Sequence, residues 1–287
     1  MNQIIIITII TLVGIGTAAA VILYFVAQRF KVYEDPRIDE VEEALPGANC
    51  GGCGFAGCRA FAEALVKNEL WDNLYCPVGG NENMARVAAI LGREAVEQAP
   101  QVAVVRCHGT PGFRARTTEY DGAPTCAIAH QLYAGEGGCP HGCLGLGDCV
   151  ESCDFDAIHM NPETGLPEVM DDKCTACGAC VDACPRDIIE LRKKNKKDRK
   201  IFVCCINEEK GAVAIKNCKV ACIGCSKCFN VCPFEAITMN NNLAYIDPVK
   251  CKLCRKCVEV CPTNCIHEIN FPPRKTEKAE TVEEENK

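Results

Sequence analysis

The first apolar pattern in the chain is an uncharged run near the N-terminus, "IIIITIITLVGIGTAAAVILYFVA", which covers 24 residues from Ile4 to Ala27. At the rise of an α-helix, a run of this length crosses the hydrocarbon core of a bilayer, so it predicts a transmembrane anchor. A cleaved signal peptide is the alternative, because the small residues at 17–20 resemble a cleavage site. However, no basic residue precedes the run and the apolar pattern continues beyond those positions, which favours the anchor.

Basic residues lie on one side of this run only. Arg29, Lys31 and Arg37 follow it, and nothing basic precedes it. The positive-inside rule then predicts a single-pass protein of the inner (cytoplasmic) membrane, with the rest of the chain in the cytoplasm. Thiols stay reduced there, so the 26 cysteines among 287 residues indicate metal binding rather than disulfides.

Two polar segments stand out beyond the anchor. The chain ends in "TEKAETVEEENK", and a disordered acidic tail is predicted over 272–287 because the segment offers few apolar residues to bury. The segment 192–200, "RKKNKKDRK", has seven basic residues and one acidic residue. It is either a solvated linker or a docking patch for an acidic protein partner. The formal net charge of −7 gives no reason to expect nucleic acid as a partner.

The first group of cysteines lies in "PGANCGGCGFAGC", and a further cysteine follows directly before Pro77. Between them, residues 59–70 have the apolar spacing of an amphipathic helix, which returns the chain to the first three cysteines. The glycines allow the backbone to wrap closely around an inorganic core. One [4Fe–4S] cluster is therefore predicted in this module. Its candidate ligands are Cys50, Cys53, Cys58 and Cys76.

Three later runs follow the pattern C-x2-C-x2-C-x3-C-P of bacterial ferredoxins, in which the fourth cysteine of one run binds the cluster of the neighbouring run. Zinc is the alternative, since C-x2-C is also a zinc spacing, but the third and fourth cysteines have no role in a tetrahedral zinc site. The histidines show no ligand-like spacing and are interpreted as surface or packing residues. They are His108, His130, His141, His159 and His267. The runs are Cys174, Cys177, Cys180 and Cys184; Cys222, Cys225, Cys228 and Cys232; and Cys251, Cys254, Cys257 and Cys261.

The runs belong to an internal repeat. An offset of 79 residues superposes "CPHGCLGLGDCVESCDFDAIHMN" on "CKVACIGCSKCFNVCPFEAITMN", and an offset of 77 continues the match after a short deletion. Two tandem double-cluster ferredoxin units are therefore predicted, over 105–200 and 201–271. In this alignment Leu146 takes the place of Cys225, so the first unit lacks one ligand.

Cysteines outside the runs supply the missing ligand. Cys139 is the nearest in sequence and is expected to join Cys143, Cys149 and Cys184. Four further cysteines would then hold a sixth cluster that ties the units together, and the assignment among the upstream cysteines stays open. These four are Cys107, Cys126, Cys205 and Cys218, and the two set aside are Cys204 and Cys265. In the regular sites Cys153 joins Cys174, Cys177 and Cys180; Cys261 joins Cys222, Cys225 and Cys228; and Cys232 joins Cys251, Cys254 and Cys257.

The order of these features resembles the B subunit of the Rnf complexes, in its long polyferredoxin form. The resemblance consists of the single N-terminal apolar helix, the "LPGANCGGCGFAGC" module, and "GCLGLGDC" followed by paired ferredoxin runs, and it covers nearly the whole chain apart from the tail. Asp154, in place of the usual proline after Cys153, and the additional Cys204 depart from that pattern.

This resemblance implies an electron-transfer subunit of a membrane-bound ferredoxin:NAD+ oxidoreductase that translocates Na+ or H+. Such a subunit accepts electrons from reduced ferredoxin and relays them through [4Fe–4S] clusters to partner subunits. The chain itself shows no phosphate-binding glycine loop in its soluble part and no catalytic triad, so no complete active site is expected on it. A polyferredoxin subunit of a membrane hydrogenase or of another membrane oxidoreductase, and a structural zinc protein at a membrane scaffold, are the alternatives.

The predicted fold class is α+β, with short strands and helices around the clusters and little conventional core. Since the clusters would then contribute much of the folding free energy, the apoprotein is predicted to be largely unfolded. The predicted domains are the anchor 1–28, the cluster module 29–104, the two ferredoxin units, and the tail.

Overall fold

The computed structural model describes residues 2–30, 34–68, 71, 74–95, 97–132 and 135–273. Its first helix, α1 (Asn2–Arg29), contains the predicted span and exposes its apolar side chains from Ile6 onward. Within the described residues it is the one helix long and apolar enough to cross a membrane. Lys31 and the predicted tail from 274 onward lie outside the described residues.

Three helices form the module that follows. The helix predicted over 59–70 is confirmed as Cys58–Lys67, and its apolar face buries Phe61 and Leu65 completely. Met84 packs into the same core from the third helix. This module therefore has a conventional apolar core of its own. The helices are α2 (Arg37–Ala44), α3 (Cys58–Lys67) and α4 (Gly80–Leu91).

Each ferredoxin unit has the same order of elements, and in each the outer two strands pair with one another, as do the inner two, always antiparallel. The four sheets thus have two strands each. The first unit contains β1 (Gln101–Val105), α5 (Cys126–Leu132), α6 (Asp148–Glu151), β2 (Ile158–Asn161), β3 (Leu166–Val169), α7 (Ala179–Asp182) and β4 (Ile189–Lys193). The second contains β5 (Lys200–Val203), α8 (Gly211–Asn217), α9 (Lys227–Val231), β6 (Ile237–Asn240), β7 (Leu243–Ile246), α10 (Lys256–Glu259) and β8 (Ile266–Ile269).

The backbone of the two units agrees at unusual positions. A positive φ is uncommon outside glycine, yet Asp156 has φ 49° and its counterpart Glu235 has φ 48°, while Ala176 and Leu253 both have φ 57°. These pairs are separated by the offsets of 79 and 77 residues that the sequence alignment gave. The two units therefore share one chain path, and Asp154 leaves that path unchanged.

Two arginines, one partly buried and one buried, join the units. Arg106, which follows β1, donates to the carbonyl oxygens of Val203 at 3.4 Å and Cys205 at 3.1 Å. Arg192, at 3% exposure, donates to the carbonyl oxygens of Ile201 at 3.2 Å and Ile246 at 2.6 Å. Because a buried guanidinium requires several acceptors, these bonds fix the first unit against the second.

The basic segment 192–200 is part of this junction. Besides Arg192, Lys200 is only 5% exposed, and its ammonium lies 2.5 Å from a carboxylate oxygen of Asp171. Lys193, Lys196 and Lys197 remain exposed. The segment thus links β4 to β5, and two of its seven basic side chains hold the units together.

Candidate iron–sulfur centres

In the N-terminal module, the helix α3 and the loop before it arrange the cysteines. The side-chain oxygen of Asn49 accepts a hydrogen bond from the backbone N–H of Cys58 at 2.8 Å, which closes the loop. The N–H of Gly79 donates to the sulfur of Cys76 at 3.3 Å. Burial, together with the neighbouring Cys53 and Cys58, raises the pKa of the Cys76 thiol. These three cysteines thus face one another beside the apolar core.

In the first ferredoxin unit, Cys153 lies with Cys174, Cys177 and Cys180 around one cavity, as the sequence predicted for this group. Backbone N–H groups donate to the sulfurs: that of Ala157 donates to Cys153 at 3.4 Å, and that of Ala103 in β1 donates to Cys174 at 3.5 Å. Burial and the neighbouring thiols raise the pKa of Cys180 to about 12. Such thiols must lose protons to bind iron.

The second cavity of this unit contains the irregular stretch "GCLGLGDC". Cys143, Cys149 and Cys184 line it, and the fourth thiol is that of Cys126. Burial raises the pKa of Cys149 to about 11. The sequence expectation of Cys139 as the fourth member of this group therefore does not match the structure.

Asp148 explains how Cys126 reaches this cavity. The carboxylate of Asp148 accepts hydrogen bonds from the N–H groups of Cys126 at 2.6 Å and Ala127 at 3.0 Å, at the first turn of α5. A carboxylate at this end of a helix satisfies donors that have no partner within the helix. Since Asp148 precedes Cys149 directly in the chain, it ties α5 to the cavity that Cys149 lines.

Cys139 lies in a cavity between the two units, where it meets Cys107, Cys205 and Cys218. The sequence analysis placed Cys126, not Cys139, with Cys107, Cys205 and Cys218. Cys126 and Cys139 have therefore exchanged places relative to the expectation. The physical reason is symmetry: Cys139 corresponds to Cys218 in the alignment, and each unit contributes an equivalent pair. The sequence distance of Cys139 to Cys143 was the wrong criterion.

Cys204 also lines this cavity, and the repeat distinguishes it from Cys205. Its N–H donates to the carbonyl oxygen of Cys265 at 2.8 Å, just as the N–H of Arg106 donates to the carbonyl oxygen of Ile188 at 2.6 Å in the first unit. Cys204 therefore corresponds to Arg106, and Cys205 corresponds to Cys107. His108 and His141 line the same cavity, a position that the sequence pattern did not indicate.

In the second unit, one cavity is lined by the predicted group with an additional thiol, that of Cys265. Cys265 is 1% exposed and hydrogen-bonds to the sulfurs of Cys205 and Cys222, which lowers the pKa of Cys205 to about 7 and that of Cys222 to about 6. Burial and the neighbouring Cys251 and Cys254 raise the pKa of Cys257 to about 12. The cysteines of the predicted group are Cys222, Cys225, Cys228 and Cys261.

The N-terminal module contacts the first ferredoxin unit at Gly52. A Cβ atom on Gly52 would lie 2.7 Å from the carbonyl oxygen of Cys177 and 2.9 Å from its Cβ atom. A side chain at position 52 would collide with that backbone, so the absence of one allows the two cysteine loops to approach. Cys254, the counterpart of Cys177 in the second unit, is exposed instead.

The donor set fits [4Fe–4S] clusters. Four of the cavities are each lined by four or more thiols. Within the part of the chain that the structure describes, no three His, Cys, Asp or Glu side chains converge closely enough to hold a single metal ion. Thiols spread around a cavity suit a cluster in which each thiolate binds a different iron atom.

Comparison with protein families identifies iron–sulfur domains in the same parts of the chain. A model described as "Putative Fe-S cluster" matches residues 45–77, and models described as "4Fe-4S dicluster domain" match residues 140–191 and 221–265. The predicted α+β class, with an apolar N-terminal helix, an iron–sulfur module and two double-cluster units, is thereby confirmed. The [4Fe–4S] type is confirmed for the two ferredoxin units, because each of them matches a 4Fe-4S dicluster domain.

Three curated relatives, each the B subunit of its complex, match over 88% of this chain. That of the "Ion-translocating oxidoreductase complex" of Methanosarcina acetivorans is 41% identical, with 93% of its length covered. That of the "Na(+)-translocating ferredoxin:NAD(+) oxidoreductase complex" of Acetobacterium woodii is 44% identical, with 73% covered. That of the "Proton-translocating ferredoxin:NAD(+) oxidoreductase complex" of Clostridium ljungdahlii is 40% identical, with 87% covered. The chain belongs to the B-subunit family of the ion-translocating oxidoreductase complexes, the Rnf complexes.

Proposed function

We propose that this chain is the electron-transfer subunit of a membrane-bound, ion-translocating ferredoxin:NAD+ oxidoreductase. It accepts electrons from reduced ferredoxin and relays them to other subunits of the complex. The observation that carries this proposal is the set of four cysteine-lined cavities in the two ferredoxin units. Gly52 of the N-terminal module contacts Cys177 in the first unit, and Cys254 is exposed in the second. The names of the relatives supply the reaction and favour it over a hydrogenase subunit.

Six [4Fe–4S] clusters are proposed, and when bound they supply one-electron carriers. Four of the ligand sets follow the sequence prediction, and two are revised by the placement of Cys126 and Cys139. The four retained sets are Cys50, Cys53, Cys58 and Cys76; Cys153, Cys174, Cys177 and Cys180; Cys222, Cys225, Cys228 and Cys261; and Cys232, Cys251, Cys254 and Cys257. The two revised sets are Cys126, Cys143, Cys149 and Cys184; and Cys107, Cys139, Cys205 and Cys218.

The residues around these sets would hold the clusters and tune their reduction potentials. Backbone N–H groups that donate to a sulfur stabilise negative charge on it. The N–H of Asn207 donates to the sulfur of Cys205 at 3.4 Å, and the N–H of Cys265 donates to that of Cys261 at 3.2 Å. Such hydrogen bonds and the degree of burial set the reduction potential of a cluster. We retain the predicted domains, which are the anchor, the N-terminal module and the two ferredoxin units; the set of Cys107, Cys139, Cys205 and Cys218 joins the two units.

The anchor places this relay at the membrane. We assign α1 to the inner membrane and the cysteine-rich remainder to the cytoplasm, because basic residues follow the helix and none precedes it. The partners are then the other membrane and peripheral subunits of the complex, with soluble ferredoxin as the electron donor.

A membrane assay of ferredoxin-dependent NAD+ reduction tests the function. Membranes lacking this subunit should lose the activity, and membranes to which its gene is restored should regain it. Activity that survives the loss of the subunit would contradict the proposed relay. Iron analysis of the anaerobically purified chain tests the ligand sets separately: six clusters require about 24 irons per chain, and about 20 would exclude one set.

A further inference from the structure

The two ferredoxin units differ on the face that carries Cys177 in the first unit and Cys254 in the second. In the first unit this loop is small and covered: Thr175 and Ala179 flank Cys177 and are partly buried, and Gly52 of the N-terminal module packs on Cys177. Cys177 itself is partly buried. The face is thus already occupied by another part of the same chain.

In the second unit the same positions are exposed and basic. Lys252 replaces Thr175 and Lys256 replaces Ala179, and both lysines are exposed together with Cys254 between them. Among the described residues, no module of this chain covers either lysine as Gly52 covers Cys177. Because the two units share one chain path, the difference lies in the side chains and in the contact with the N-terminal module.

Further features of this loop extend the surface. Lys250 is exposed, and the neighbouring Val249 is 71% exposed. Arg255 adds no free charge, because it lies 2.5 Å from a carboxylate oxygen of Glu268. Glu259 is the acidic residue of the adjoining helix α10, so the surface remains net positive.

From this contrast we infer that the surface formed by Val249, Lys250, Lys252, Cys254 and Lys256 docks a small acidic electron-carrier protein. The inference deepens the proposed function and rests on it, since Cys254 must be a cluster ligand. An exposed ligand permits close approach of a second redox centre. The three lysines attract an acidic surface toward that ligand. The exposed valine supplies an apolar contact within such an interface.

The test reverses the charge of the three lysines in the complete complex. Membranes carrying Lys250→Glu, Lys252→Glu and Lys256→Glu together should need about tenfold more reduced ferredoxin for half-maximal NAD+ reduction at low ionic strength. The difference should shrink as salt is added, because salt screens exposed charges. Iron content and reduction of the clusters by dithionite should stay at wild-type values, which separates a docking defect from a failure of the relay.

The matched control changes the same number of charges in the other basic segment. Lys193→Glu, Lys196→Glu and Lys197→Glu should leave the ferredoxin requirement unchanged, since these exposed lysines belong to the segment that joins β4 to β5 and not to the loop that carries Cys254. An equal effect in both variants, or no effect in the first, would overturn the inference. Loss of the other subunits from the purified first variant would overturn it too, by identifying the surface as a fixed subunit interface.

Discussion

The two ferredoxin units have the same backbone and different chemistry. Both cysteine runs of the second unit are regular, whereas the first run of the first unit has Leu146 where its counterpart has Cys225. The structure compensates with Cys126, brought from the start of α5 and held there by Asp148. A missing ligand in a repeat is therefore not the loss of a site, because a thiol can be supplied from any segment that the fold fixes nearby.

A second difference concerns what each unit contacts. The first unit packs against the N-terminal module at Gly52, and the second presents Cys254 to solvent. Between them, equivalent cysteines from both units line one shared cavity. The repeat has thus diverged at its two ends while keeping its centre symmetric, as a relay with different neighbours at each end requires.

Removal of the clusters should have the largest effect and should abolish the difference between the units. Amide hydrogen exchange of chelator-stripped protein should show loss of nearly all protection in both units, from β1 to β8, because cysteines of the proposed sets are themselves part of the apolar cores of these units. The N-terminal module should keep protection in α3 and α4, where Phe61, Leu65 and Met84 form a core without metal. Native-like protection in either ferredoxin unit would contradict this.

Replacing Cys126 should have the next largest effect. Cys126→Ser should change the type of one cluster in the first unit or leave its site empty, and Cys225→Ser should do the same in the second unit. The two variants are therefore matched controls for each other. Cys139→Ser should affect a different cluster. The double variant Cys126→Ser/Cys139→Ser should therefore lose two cluster signals in electron paramagnetic resonance. If it loses no more than one, the two cysteines belong to the same set.

Replacing Asp148 should weaken the same site less. Asp148→Ala removes two hydrogen bonds to a carboxylate, each worth about 1.5 to 3 kcal/mol, and frees the first turn of α5. Iron should leave the first unit faster under a chelator, with wild-type iron content at the start. Lys227→Ala, the equivalent position in the second unit, should leave the rate unchanged. Equal rates in the two variants would show that Asp148 does not position Cys126.

Much of this arrangement was accessible from the sequence. The runs, the repeat and the apolar helix each have a short-range pattern, and the amphipathic spacing around Phe61 and Leu65 placed α3 to within a few residues of its ends. The family followed from the order of these features. Each of these features could be predicted because its signal lies in the spacing of residues that are close together in the sequence.

The exchange of Cys126 and Cys139 could not be predicted in this way. Which thiol enters which cavity depends on the loop from β1 to α6, whose path is fixed by contacts over long sequence distances, such as that between Asp148 and Cys126. The repeat held one usable signal, since Cys139 corresponds to Cys218 and should share its role. The contact of Gly52 with Cys177 had no sequence signal, because that stretch is rich in glycine throughout.

The smallest predicted effect concerns Cys265, whose counterpart in the first unit is the buried Ile188. The thiol of Cys265 hydrogen-bonds to the sulfurs of Cys205 and Cys222, which belong to adjacent proposed clusters. A donor stabilises the reduced, more negative cluster, and one such bond is worth about 0.5 to 1.5 kcal/mol, or roughly 20 to 60 mV. Cys265→Ala should therefore lower the potential of these clusters by that amount in a redox titration.

Reciprocal variants make this difference between the units decisive. Cys265→Ser retains a donor and should keep most of the wild-type potential, while Ile188→Cys should introduce a donor beside Cys107 and Cys143 and raise the potentials on the first side. Iron content should be unchanged in all three variants. Loss of iron in Cys265→Ala would instead make Cys265 a ligand. If the potentials are unchanged while iron is retained, packing alone explains why one unit has cysteine where the other has isoleucine.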